Sequence, residues 1–202
     1  LAHRSHDNLI IELSGSAPNE IQVEDDFEVV WNRLIKNLSS DFFVINNVEK
    51  ASRLINLSFS SQAPSEFIDC GTTYRTFKNA RGTQKYKYQA ANSSRFSTTD
   101  ENGRAFNVNR ETDLSGRINI FVAPESGKTT IRVNSRYILS IKLTYADLLG
   151  RPAGTQNATW SFNTNSPYSR SDPATGTVIK CSTNSKIEKR ILLAVRPNSS
   201  GK

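Results

Sequence analysis

From Thr130 to Tyr145 the residues alternate: Ile131, Val133, Tyr137, Leu139, Ile141, Leu143 and Tyr145 hold one parity, and Arg132, Asn134, Arg136, Ser140, Lys142 and Thr144 hold the other. Successive side chains on a strand point to opposite faces, so this pattern predicts a long strand with one face on a core and one in water. Half-solvated alternation is the habit of antiparallel sheets; strands of a buried parallel sheet read as unbroken apolar runs. A different period marks the N-terminal half. Phe27, Val30, Trp31, Leu34, Ile35 and Leu38 fall at helical spacing and define one buried face. Asp25 is placed to cap that helix with Glu28 as capping-box partner, and Glu24 and Asp26 suit the positive end of its dipole.

The remaining pattern is shorter. A strand is expected over 9–13, then, after the helix, a hairpin of strands 42–48 and 54–59 around a turn at 49–52. Further strands are expected near 67–70, 72–77, 85–88, 117–122, 158–162 and 177–181. The polar residues 91–116 read as a long loop. A second helix is expected over 185–195, with Asn184 as cap, Ile187, Ile191, Leu192 and Val195 on its face, and Arg196-Pro197 as its stop. No period of 20 to 50 residues repeats, which excludes a solenoid. The expected fold class is α+β, a curved antiparallel sheet with a helix in the N-terminal half and a C-terminal helix packed on one face. It forms a single domain over 9–197, between a flexible terminus at 1–8 and a tail at 198–202.

Composition adds a compartment and a charge. No apolar run approaches the roughly 18 to 20 residues that a membrane-spanning helix requires. The chain holds no methionine, so Leu1 is not an initiator, and a secretory signal or lipid-anchored cysteine ahead of it fits the reading; that anchor is the only membrane contact expected. The two cysteines, Cys70 and Cys181, each follow an apolar pair and precede turn or cap formers, as two strand ends would. They have no second cysteine or histidine at metal-ligand spacing, leaving two buried thiols or one disulfide. The disulfide is expected, and with it an oxidising compartment such as the bacterial cell envelope.

The net charge of +7 admits an acidic partner: nucleic acid, anionic lipid or an acidic protein. Between Gly71 and Thr99 there is no Asp or Glu, and Arg75, Lys78, Arg81, Lys85 and Lys87 form a candidate basic interaction surface, with Arg95 farther on. Tyr74, Phe77, Tyr86 and Tyr88 interleave with them. That is the composition of a single-stranded nucleic-acid platform, and equally of half-buried strands with rings inward and cations outward.

Other constellations carry no chemistry. Ser126-Gly127-Lys128-Thr129-Thr130 resembles the end of a phosphate-binding loop, but Val122 stands where its first glycine belongs, and the segment reads as a turn into the long strand. The only histidines, His3 and His6, sit in the terminus, leaving no core histidine for nucleophilic or metal chemistry. The Glu24, Asp25, Asp26 and Glu28 cluster lacks the alternate-oxygen spacing of a calcium loop. Sequons at Asn37, Asn56, Asn92, Asn157 and Asn198 are read as chance in a chain rich in Asn, Ser and Thr. No catalytic residues, metal or cofactor are expected.

The helix Asp26-Phe27-Glu28-Val29-Val30-Trp31-Asn32-Arg33-Leu34, the strand opening Phe42-Phe43-Val44-Ile45 and the return Leu54-Ile55-Asn56-Leu57-Ser58-Phe59 resemble bacterial envelope lipoproteins. The pattern is most similar to the helix-grip domains of the BamC family. The resemblance covers about 35 residues and departs from that family in the cysteine pair and in 91–116. It implies a lipid-anchored periplasmic protein of the outer membrane that acts by protein contact.

The expected function is a non-enzymatic cell-envelope interaction or scaffold module. The alternatives are a carrier of a small apolar ligand or lipid between helix and sheet, and a nucleic-acid binder through residues 75–87.

Overall fold

The structure is a computed structural model and describes residues 8–10, 19–171 and 178–196. In chain order the elements are β1 (Asn8–Ile10), β2 (Glu20–Val23), α1 (Phe27–Ser39), β3 (Val44–Glu49), β4 (Leu54–Ser61), a 3-10 turn (Pro64–Glu66), β5 (Ile68–Asp69), β6 (Thr72–Asn79) and β7 (Gly82–Gln89). There follow β8 (Ser94–Thr99), β9 (Ala105–Glu125), β10 (Lys128–Asp147), β11 (Pro152–Asn163), β12 (Tyr168–Ser171), β13 (Val178–Thr183) and α2 (Lys186–Leu193).

The frame is the β9–β10 hairpin. Its strands are 21 and 20 residues long, about 65 to 70 Å at the usual rise. They are closed by a two-residue turn, Ser126-Gly127, with both residues at positive φ, the backbone of the tight hairpin turns that match strand twist. Each flank of this ribbon is occupied by two strands in succession. On β9, β4 pairs with 114–121 and β8 with 105–110. On β10, β2 pairs with 129–132 and β11 with 136–146. With β3 outside β4, this makes one seven-stranded antiparallel sheet.

Inward positions of β9 and β10 alternate with exposed ones for almost their whole length, and two different layers cover the inward face. Near the 126–127 turn, α1 lays Val30, Trp31, Leu34 and Leu38 against β9 and β10, where Ile118, Ile120, Val122, Ile131 and Val133 are fully buried. α2 packs against β10 beside it and is tied to α1 by Arg33 Nη1 donating to the Val195 carbonyl and Asn37 Nδ2 to that of Ala194. At the other end the cover is a second sheet, ordered β1-β6-β7. A third small sheet, β12-β13-β5, closes the side. There Cys70 follows β5 directly opposite Cys181 on β13, with Cα atoms 4.1 Å apart, and the two form a disulfide.

The α+β expectation is overturned. Of the described residues 62% are strand and 14% helical, arranged in several antiparallel sheets, so the protein is β-rich and not a helix-grip fold. The error lies in residues 91–116, which are β8, a five-residue turn and the first half of β9 and not a long loop. Their inward side chains include Arg110 and Thr112, buried but polar, so an alternation of buried and exposed is present without an alternation of hydropathy. Where that half of the sheet needed a second layer, a sheet supplies it.

Smaller differences follow local chemistry. The N-cap position of α1 is Asp26, and no side chain caps it. Asp25 instead accepts from Arg33 Nη1 at 2.7 Å, and Glu28 pairs with Lys50 at 2.5 Å. Ser185, in the left-handed region, holds the N-cap position of α2, while Asn184 Oδ1 accepts from the Lys186 N–H. In the Ser-Gly-Lys-Thr-Thr segment, Lys128 pairs with Glu24 and Thr130 Oγ1 donates to Glu125. Asn8 lies in β1, whereas His3, His6, the rest of the 1–8 terminus, Asn198 and the 198–202 tail lie outside the described residues.

Candidate functional site

Alternation divides the expected basic surface. The register of β6 and β7 places Thr73, Arg75, Phe77, Tyr86 and Tyr88 on one face and Tyr74, Thr76, Lys78, Lys85 and Lys87 on the other. The second face is outward: Lys78, Lys85 and Lys87 are exposed, and Lys87 Nζ lies 5.5 Å from the Tyr74 ring centroid. Arg81 sits in the turn, its N–H held by Asn79 Oδ1. Among the described residues no carboxylate pairs with Lys78, Arg81, Lys85 or Lys87. Arg75 faces inward, with its guanidinium 4.2 Å from the Phe96 centroid and its Nε donating to Tyr88 Oη at 2.9 Å.

Beneath the hairpin a second cation is buried. Arg110 on β9 donates from Nη2 to the Ala90 carbonyl at 2.6 Å and from Nη1 to that of Asn92. Its guanidinium lies over Tyr88, which stacks on Phe96 at 5.8 Å. Burial lowers its pKa, the Tyr88 oxygen opposes that, and Arg75 adds to it; a guanidinium stays charged through such a shift. The pair Arg75 and Arg110 thus fastens the β6–β7 hairpin to the main sheet through rings and carbonyls.

The free end of the long sheet carries two turns of one design. Between β8 and β9, the Asp100 N–H donates to the Arg104 carbonyl and the Gly103 N–H to the Asp100 carbonyl. The Asp100 carboxylate accepts from the N–H groups of Asn102 and Arg104 and from Arg104 Nε at 2.7 Å. Between β10 and β11, Asp147, Leu149, Gly150 and Arg151 repeat every one of these bonds. Gly103 and Gly150 take φ of 77° and 83°, a left-handed conformation costly for other residues. Hydrogen bonds from Arg151, backbone then guanidinium, hold the Asp147 carboxyl below the usual range. At Asp100 desolvation pulls upward, but the Arg104 bonds outweigh it. The recurring Asp-x-x-Gly-Arg of Asp100–Arg104 and Asp147–Arg151 is visible in the sequence, yet it is too short to register as a structural repeat.

The tips of these twin turns differ. One shows Glu101-Asn102; the other shows Leu148 and Leu149, 55% and 81% exposed. The β6–β7 turn leaves from the same end, because Tyr88 stacks on Phe96 and, farther along, Tyr86 Oη lies 3.1 Å from Ser97 Oγ, three residues before Asp100. Arg81 and Lys78 therefore stand at the end of the molecule that carries the leucine tip.

On the outward face, where β4 has left β9 and β8 has not yet joined it, lies a groove of about 650 Å³. Its floor is two cross-strand rows, Asp113-Ser140-Thr159 and Glu111-Lys142-Asn157, walled by Gln62 and Ser93. Glu111 and Lys142 stand 4.0 Å apart. The groove can donate and accept hydrogen bonds along both rows.

Compared with protein-family models, curated proteins and solved structures, the chain matches none.

Proposed function

We propose that this chain is a non-enzymatic binding domain of the bacterial cell envelope, a periplasmic, outer-membrane-anchored interaction or scaffold module that receives an acidic protein partner on the outward face of β6–β7. The observation that carries the reading is the row of Tyr74, Lys78, Lys85 and Lys87 on one exposed face, without a carboxylate between Gly71 and Thr99. Such a face attracts negative surfaces and speeds encounter. The Cys70–Cys181 disulfide is consistent with an oxidising, extracytoplasmic compartment. Nucleic acid fits this face less well, since Phe77, Tyr86 and Tyr88 lie on the opposite side and leave Tyr74 alone to stack a base.

The test is site-specific photo-crosslinking in cells from position 89, beside the face. A discrete adduct with an envelope protein that disappears in Lys85→Glu/Lys87→Glu supports the reading. An adduct unchanged by the charge reversal, or none, sinks it.

A further inference from the structure

We propose that the Leu148–Leu149 tip is a membrane contact, inserted into the interfacial zone of a bilayer carrying anionic headgroups. An internal comparison isolates these leucines. The Asp100 and Asp147 turns share backbone hydrogen bonds, the carboxylate clamp, the positive-φ glycine and the arginine. In the first the same two positions hold Glu101 and Asn102. The turn therefore has no need of leucine, and the fold does not bury it: Leu149 is the most exposed large apolar residue described. Two adjacent leucines kept in water on a clamped turn, at the end of β10 opposite the Ser126-Gly127 turn, have a reason outside the folding of this chain.

The occupant follows from area, shape and charge. Two leucine side chains offer roughly 200 Å² of apolar surface, far below the roughly 800 Å² per partner of a standard protein interface. The feature is a convex tip. A small apolar wedge flanked by cations is what an interfacial membrane contact uses, with apolar insertion and attraction to anionic lipid acting together. The clamps are internally neutral, Asp100 with Arg104 and Asp147 with Arg151. The β6–β7 hairpin, whose turn leaves from the same end, carries Lys78, Arg81 and Lys85, three positive charges against the one of Glu101. The clamp fixes the turn before it meets lipid, so little conformational freedom is lost on binding. This inference shares Lys78 and Lys85 with the lysine-face reading; the leucine substitutions test it alone, because they leave that face unchanged.

The experiment is flotation of the full chain with vesicles of phosphatidylcholine alone and of phosphatidylcholine with phosphatidylglycerol, at low salt. The unaltered protein is expected to float with the anionic vesicles and to be released by salt. Leu148→Glu/Leu149→Asn, which installs the pair of the sister turn, is expected to lower the partition coefficient about tenfold or more, with an unchanged melting temperature. Lys78→Gln/Arg81→Gln is expected to remove the preference for anionic vesicles. As an independent readout, the emission of Leu149→Trp should move to the blue on adding anionic vesicles. No binding of the unaltered protein at low salt, equal binding by Leu148→Glu/Leu149→Asn, or an unmoved Leu149→Trp emission overturns the proposal.

Discussion

The Tyr137 hydroxyl donates to Glu188 Oε1 at 2.8 Å, joining the middle of β10 to α2 in a part of the protein where neither side chain is exposed. Thr164 Oγ1 stands 3.0 Å from the same oxygen, and Thr183 Oγ1 lies 3.2 Å from Glu188 Oε2 and 3.0 Å from the phenol. The N–H groups of Ser135 and Ser185 in turn donate to these two threonines. A buried carboxylate is tolerable only with such a set of donors. Tyr137→Phe removes one bond to a charged group and should cost about 1.5 to 3 kcal/mol in urea unfolding. Glu188→Ala takes the acceptor from the buried Tyr137 hydroxyl, removes the bonds from Thr164 and Thr183 and opens a cavity, and should cost about 3 to 5 kcal/mol. Equal effects of the two would show that the network does not act as drawn.

The same pair sets an alkaline limit. Burial first, and then the Glu188 charge, raise the Tyr137 pKa far above that of a free phenol. A pKa higher in the folded than in the unfolded state gives stability that is complete below the unfolded value, about 10, and declines as pH rises above it. Unfolding free energy should therefore fall above about pH 10, and Tyr137→Phe should flatten that decline. An unchanged alkaline slope in the variant would remove Tyr137 as its source.

Gly116, midway along β9, should not accept a side chain. A Cβ there would stand 2.0, 2.6 and 2.8 Å from three atoms of the Phe59 ring. That ring makes edge contacts with Phe42, Phe43, Phe67 and Tyr137, so it has nowhere to turn. Gly116→Ala should destabilise by about 1 to 3 kcal/mol or more, and Phe59→Leu in the same chain should recover part of the loss. Chemical denaturation of the two variants tests it, and additive losses would contradict the packing.

The disulfide links positions 111 residues apart. In the chain-entropy model such a cross-link contributes about 4 to 5 kcal/mol by restricting the unfolded chain. Cys70→Ser/Cys181→Ser should lower the unfolding free energy by that order and leave the far-ultraviolet dichroism β-rich. A loss below about 1 kcal/mol would mean that the unfolded chain already keeps these ends together.

The Asp147 clamp has a pH signature. A carboxyl whose folded pKa is depressed contributes above its unfolded value, about 3.9, and loses that contribution as pH falls through the folded one. Carbon-13 titration of Asp147 should give a midpoint below the usual aspartate value, and Arg151→Gln should move it upward. Asp100 should behave alike with Arg104→Gln. Midpoints insensitive to the arginines would dismiss the guanidinium's part in the clamp and leave the backbone N–H bonds as its cause.

Several elements were legible because their chemistry is local. The helical spacing of Phe27 to Leu38 and the strict alternation of Ile131 to Tyr145 locate α1 and β10, and the apolar pairs before Cys70 and Cys181 locate two strands, although Cys181 lies inside β13 and not at its end. The strand at residues 105–116 was hidden. Its inward Arg110 and Thr112 look like loop residues until the Ala90 and Asn92 carbonyls and the Ser93 hydroxyl that receive them are in place.

The sequence alone determined the antiparallel habit, the first helix and the acid-free stretch from Gly71 to Thr99, since each depends on residues close together in the chain. Tertiary structure decided the rest. It set Arg75 inward and Lys78, Lys85 and Lys87 outward, brought three hairpin turns to one end, and left Leu149 in water while Leu139, on the same strand as its own stem, is fully buried. The physical reason is that a leucine, like a lysine, has the same hydropathy wherever it stands. What covers it is settled by pairings such as β4 and β8 on one strand, between segments far apart in sequence.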